Sequence, residues 1–381
     1  MGIPMSAHLR HAWSSAVALL ALLAAAGAAT AAEPRATGDK ERSFLYVAVP
    51  GIRNYVEFGG IGLLVFDRDD GYRFVKRIPT WSVPSGEEPE NVKGIAASAP
   101  DARIYITTLR RIAAFDLVTE KKVWESTPEG GCDRLAISPD GRWLYVPSFE
   151  APHWNVLEAS TGKTIARLEP NSGAHNTVYG LDGRAVYLAG LRSPLLSIAD
   201  PKTHGLVGTV GPFSRSIRPF TVNGRQTLVY VNVNDLLGFE IGDIASGKML
   251  HRVEVHGFPM GQVKRHGCPS HGVALTPDES EVWVVDGANQ RVHVFDNTVM
   301  PPRQGPSVAL REQPGWISFT LDGRDALPST GEVIDVKTKR IVAVLSDENG
   351  GAVHSEKLVE VIWKNGKPVR AGDQFGLGRS R

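Results

Sequence analysis

The chain has 381 residues, 42% hydrophobic and 22% charged, which is enough to bury a sizeable core and unlike the composition of a disordered polymer. Its 42 basic and 41 acidic residues leave a net charge of +1, and no basic block is long enough to track a phosphate backbone, so nucleic acid is not an expected partner. Two cysteines, Cys132 and Cys268, are too few for a disulfide framework, and the sequence does not decide whether they pair.

The first segment reads as an export address: Arg10, an apolar run from Trp13 to Ala29, then small residues that satisfy the small-x-small rule. Cleavage is expected after residues 1–32, leaving a periplasmic or secreted protein. The apolar run is shorter than the ~20 residues that span a bilayer, and no later stretch is apolar enough, so no membrane span is expected after signal removal. A retained anchor is the alternative.

From there the chain repeats itself. "RLAISPDGRWLYVPSF" from Arg134, "TVYGLDGRAVYLAGL" from Thr177, "RPFTVNGRQTLVYVNV" from Arg218, "GVALTPDESEVWVVDG" from Gly272 and "ISFTLDGRDALPST" from Ile317 each read as strand, tight turn, alternating strand. Most of these turns are Asp-Gly or Asn-Gly, where glycine accepts positive φ without steric cost. A second strand–turn–strand half follows each one, as in "IAAFDLVTEKKVWES" and "WNVLEASTGKTIARLE". Seven copies about 42 to 53 residues apart, four short strands in each, are the signature of β-propeller blades, since a sandwich has no such constant period. The first copy begins at Ser43 and lacks an innermost strand, while Lys357–Trp363 is a strand left over at the end. The fold expected is all-β: a seven-bladed propeller over 43–363, closed by that C-terminal strand in blade one, with 364–381 as a flexible tail.

The motifs "AISPDGRWLYV", "LVYVNVN" and "ALTPDESEVWVV" resemble the YVTN or YncE-type seven-bladed propellers, kin to the lactonase-like and quinoprotein amine dehydrogenase-like propellers. The resemblance covers nearly the whole mature chain and implies architecture and export; it assigns no reaction.

Within such a ring the hairpin turns joining strands one to two and three to four lie on one face, and here they are generic. Blade-to-blade connections and two-to-three turns lie on the other, and these carry the reactive side chains. Candidates for a small polar or anionic ligand are Arg53, Asp133, Arg134, His175, Asn176, Arg218, His271, Trp316 and Glu356, because guanidinium groups grip carboxylate or phosphate and Trp316 offers an apolar wall. Loop-holding ion pairs are the alternative role for the arginines.

"KRHGCPSHGVALTPDE", residues 264 to 279, concentrates two histidines and a cysteine, and the long connection from His256 to His271 is expected to fold across the channel mouth as a lid. His153, His175, His266 and His271 form a candidate transition-metal set for copper, zinc or iron, since imidazole suits all three. Against it, His175 and His271 are placed on blades three and six, roughly opposite one another. Three function classes follow: a ligand-binding protein, a lactonase-type hydrolase, or a metal- or quinone-dependent oxidoreductase. A monomer is expected, and the ligand and any protein partner are left open.

Overall fold

The computed structural model describes residues 40–375; the expected export segment, 1–32, and the last residues of the tail lie outside them. Seven antiparallel sheets form, one per repeat. Six have four strands, running from Val92–Ser98 in blade 2 to Arg340–Val344 in blade 7. Successive innermost strands pack on one another around the ring, and apolar clusters fill each blade-to-blade seam. Leu327, Val333 and Leu345 of blade 7 join Leu45, Val47 and Leu64 of blade 1 in one such cluster, so the ring is complete.

Burial follows strand position, and the alternation of the sequence explains it. Inner and middle strands such as Trp143–Pro147 are almost wholly buried, whereas the outermost, such as Thr164–Leu168, expose alternate residues to water. The hairpin at Asp140-Gly141 shows how a repeat turns. Gly141 takes φ of 76°, its N–H donates to the Ser138 carbonyl at 2.9 Å, and Asp140 accepts from the N–H of Arg142 at 3.1 Å.

Closure takes the expected form. Leu358–Lys364 pairs antiparallel with Arg42–Val49, with Tyr46 opposite Val359, and so supplies the missing inner strand of blade 1. The tail departs from expectation. Lys367–Ala371 adds a fifth strand on the axial side of Leu358–Lys364, and Gln374 and Phe375 are buried beyond it. What the sequence lacks in alternation the channel supplies in partners. Gln374 accepts from Ile95 N–H at 3.2 Å and donates to the Leu135 carbonyl at 2.9 Å, while Phe375 packs against Phe220 and Trp316. A segment with backbone and ring partners on several blades is ordered by them, whatever its own pattern.

No helix among the described residues is long and apolar enough to cross a membrane.

Candidate functional site

The two loop sets separate as the repeat predicts. A cavity of about 230 Å³ at one end of the channel is lined by blade-to-blade connections (Asn91, Lys93, Arg134, His175, Arg218, Arg265 to Gly267, His271, Glu356, Lys357) and by two-to-three turns (Ile52, Arg53, Phe149, Glu150, Leu191). A second cavity, at the opposite end, is lined by one-to-two turns such as Ser138 and Pro139 together with the tail residues Val369 to Asp373. The tail up to Asp373 thus lines the end of the axis opposite the reactive loops, while Gln374 and Phe375 reach Trp316 within the channel.

Each lining side chain is set by where its loop meets the first strand of a blade. Arg134 and His175 occupy adjacent connections tied by Arg134 N–H to the His175 carbonyl, at 3.2 Å. Arg134 lies flat over Trp316, 3.6 Å from the ring centroid, and its guanidinium pairs with Glu356 Oε2. Lys357 Nζ reaches the same oxygen at 2.9 Å and the Gly51 carbonyl at 2.8 Å. All three charges are buried, so they persist only because each is compensated. Burial pushes the Glu356 carboxyl up, but Lys357, His266 and Arg134 outweigh it and hold it well below the usual carboxylate range. Burial also pulls Lys357 down, with Glu356 pulling back.

A second pairing lies beside the first. Asp133, fully buried, accepts from or shares a proton with His175 Nδ1 at 2.6 Å, and Lys93 Nζ stands 3.4 Å from its other oxygen. Burial acts to raise Asp133, yet His175 and Lys93 bring it below its ordinary value, so it stays ionised. Burial holds His175 below the usual histidine range despite Asp133, which leaves the ring neutral at pH 7 with Nδ1 engaged by the carboxylate and Nε2 free for a ligand. His271 is likewise kept neutral, well below its ordinary value, first by burial and then by His266. Its Nδ1 meets the Gly315 carbonyl at 3.0 Å.

Two arginines differ from these. Arg218 donates to Asn234 Oδ1 at 2.5 Å and Arg53 to the Arg265 carbonyl at 2.9 Å, and among the described residues neither has a carboxylate partner. The long connection from His256 to His271 lines the cavity through Arg265, His266, Gly267 and His271. Residues 257 to 272 contain no strand, Arg265 bonds Glu312 at 2.8 Å, and Lys264 N–H donates to Gln313, tying the connection down on the approach to blade 7.

The structure gathers Arg53, Arg134, His175, Arg218, His271 and Glu356 around the cavity, with Asp133 and Trp316 immediately behind it. Asn176 is buried and away from the opening. The four-histidine set does not assemble. His153 turns its Nε2 to the Glu129 carbonyl at 3.0 Å, in the connection from blade 2 to blade 3, and does not line the cavity. His175 and His271 are not opposite one another. His175 opens blade 4, not blade 3, and His271 opens blade 6, and because innermost strands converge on the axis their ring centroids are 6.4 Å apart. The three histidine or acidic side chains whose ligating atoms lie within 4.8 Å of one another are instead His266, His271 and Glu356. Sequence reasoning gave no role to Lys357 or Arg265; a lysine opening the apolar closing strand was the available signal.

Both cysteines are free and buried. Burial pushes Cys268 up to about 12 and Cys132 higher still, so neither is a thiolate at neutral pH.

Compared with protein-family models and with curated proteins, the chain matches none. The site must therefore be read from its own chemistry, which is that of a cation-lined cup: six lysine and arginine side chains face it against two carboxylates, Glu150 and Glu356. Even after Asp133 and Glu312 are set against Lys93 and Arg265, positive charge is in excess.

Proposed function

We propose that this protein is an exported, periplasmic or secreted propeller of the YVTN or YncE type that binds a small anionic ligand, a carboxylate or phosphate compound, at the mouth formed by its blade-to-blade loops. The observation that carries this reading is the pair Arg53 and Arg218. Arg53, exposed, and Arg218, half-buried, both stand at the cavity, and among the described residues neither has a carboxylate partner, whereas the buried charges beside them, Asp133, Arg134, Glu356 and Lys357, are each paired. A guanidinium group offers its donors in a fixed fork that suits two oxygens of one anion. Lys93, Arg134 and Lys357 are already committed to Asp133 and Glu356, so they set the field while Arg53 and Arg218 make the contact.

The inert thiols argue against nucleophilic cysteine chemistry. Thermal unfolding with a panel of sulfate, phosphate, citrate, a neutral sugar and a polyamine tests the reading. The anions should raise the melting temperature, with stability growing as the logarithm of anion concentration above Kd to about 2.7 kcal/mol at a hundred times Kd. The sugar and the polyamine should have no such effect. Equal shifts from anions and from the sugar would contradict it, as would an anion effect that survives Arg218→Ala undiminished.

A further inference from the structure

We infer that His266, His271 and Glu356 form a binding site for one divalent first-row transition ion, at the wall of the same cavity. This inference stands apart from the anion reading, which needs no metal.

The argument rests on which atoms are used and which are left. Glu356 Oε2 is taken by Arg134 and Lys357. Its other oxygen, Oε1, is buried and has no hydrogen-bond partner, although His266 Nε2 lies only 2.9 Å away. Two ligand atoms on one ion, each at about 2.0 to 2.2 Å, stand about 2.8 to 3.1 Å apart at a 90° angle and about 3.3 to 3.6 Å apart at the tetrahedral angle. The 2.9 Å approach without hydrogen-bond alignment therefore has the spacing of two ligands that share an ion. His271 completes the set: its Nδ1 is engaged by the Gly315 carbonyl, which fixes the tautomer and leaves Nε2 as the donor. The ring stacks on His266 with centroids 4.0 Å apart.

Gly315 provides a second, independent observation. A Cβ at this position would overlap both His266 Nε2 and Glu356 Oε1, so only glycine leaves the space between them open. Two of the three ligands also have an outer partner of the kind metal ligands use: Arg134 and Lys357 for the carboxylate, a backbone carbonyl for His271. Two imidazoles and one carboxylate, with the remaining positions open to the cavity, match zinc or iron(II) rather than calcium or magnesium. The surrounding cations do not compete for the ligating atoms, since they hold the opposite oxygen. They do favour an accompanying anion, so a metal and a small anion should bind with positive coupling.

The test is calorimetric titration of the chelator-stripped, purified protein with Zn²⁺, repeated with Co²⁺ to record its visible spectrum. One equivalent should bind, and the Co²⁺ spectrum should lack a thiolate charge-transfer band. Affinity should fall at least about 100-fold in His266→Ala and in His271→Ala, fall in Gly315→Ala, and stay unchanged in His153→Ala. Because Glu356→Gln leaves Arg134 and Lys357 with a weaker partner and could fail to fold, His271→Ala, which loses one carbonyl contact, carries the decision. Absence of one-equivalent binding, or affinity unchanged in His271→Ala, would overturn the site. Sulfate titration of the metal-free protein separates the two conclusions: sulfate binding without zinc binding refutes the metal site alone, and the converse refutes the anion reading alone.

Discussion

Arg134 and Arg215 are both arginines of the same loop face, and their surroundings give them different weights. Arg134 is buried against Trp316 and shares Glu356 with Lys357, whereas Arg215 is 65% exposed and sits 3.5 Å from an exposed Asp235. Arg134→Met leaves Glu356 with Lys357 as its partner and uncovers Trp316, so it should cost more than about 1 kcal/mol in urea unfolding but less than the roughly 3 to 5 kcal/mol of a fully stranded buried charge. Arg215→Ala should cost under about 1 kcal/mol. Similar losses from both would mean that the cluster is solvated and that its charges are not held in place. Residue identity at the site was partly legible: Arg53, Arg134, His175, Arg218, His271 and Glu356 stood out because they break an otherwise monotonous repeat. Their pairing was not legible, since which carboxylate reaches Arg134 depends on a contact between residues 222 positions apart. Nor could spacing show that His153 turns to the connection between blades 2 and 3, because a side chain's direction is set by what it packs on.

At the scale of elements, the tail is the instructive case. Lys367–Ala371 and the two residues Gln374 and Phe375 have no strand-like alternation, and a reading from periodicity leaves them loose. They are ordered by the channel. Trp316 Nε1 donates to the Gln374 carbonyl at 2.5 Å, and Phe375 meets Trp316 at 5.4 Å between ring centroids, so the tail supports the indole on which Arg134 lies. Deleting 372–381 should therefore weaken sulfate binding several-fold in calorimetry while the seven blades remain folded by circular dichroism; unchanged affinity would show that the floor of the site does not depend on the tail. Asp373 adds a pH dependence. Burial raises its carboxyl from 3.8 to about 6, with the Phe375 N–H opposing. A raised acid stabilises the fold fully below its unfolded value and loses that contribution as pH rises through the folded one. The melting temperature should thus fall between about pH 4 and pH 7 by more in the wild type than in Asp373→Asn, modestly, since Asp373 keeps some solvent access. Parallel curves would contradict the assignment.

For the whole molecule, the ring was the most legible feature, because seven copies of one pattern and a leftover terminal strand admit few arrangements. Closure by Leu358–Lys364 in blade 1 buries Leu358, Val359 and Val361, each contributing about 1.5 to 3 kcal/mol on leaving water. The ring also fixes what no single blade has: it brings connections from six seams to one cup, so that cations scattered over the sequence of a chain with net charge +1 converge on a cavity of about 230 Å³. That convergence is the centre of the functional account, and it is tested most directly by isothermal titration of sulfate into the purified protein at two salt concentrations, beside Arg218→Ala and the opposite-face control Asp182→Asn. The account predicts saturable one-site binding that weakens as salt rises, falls about tenfold or more in Arg218→Ala and is unchanged in Asp182→Asn. Binding that is absent, or equal in both variants, would contradict it.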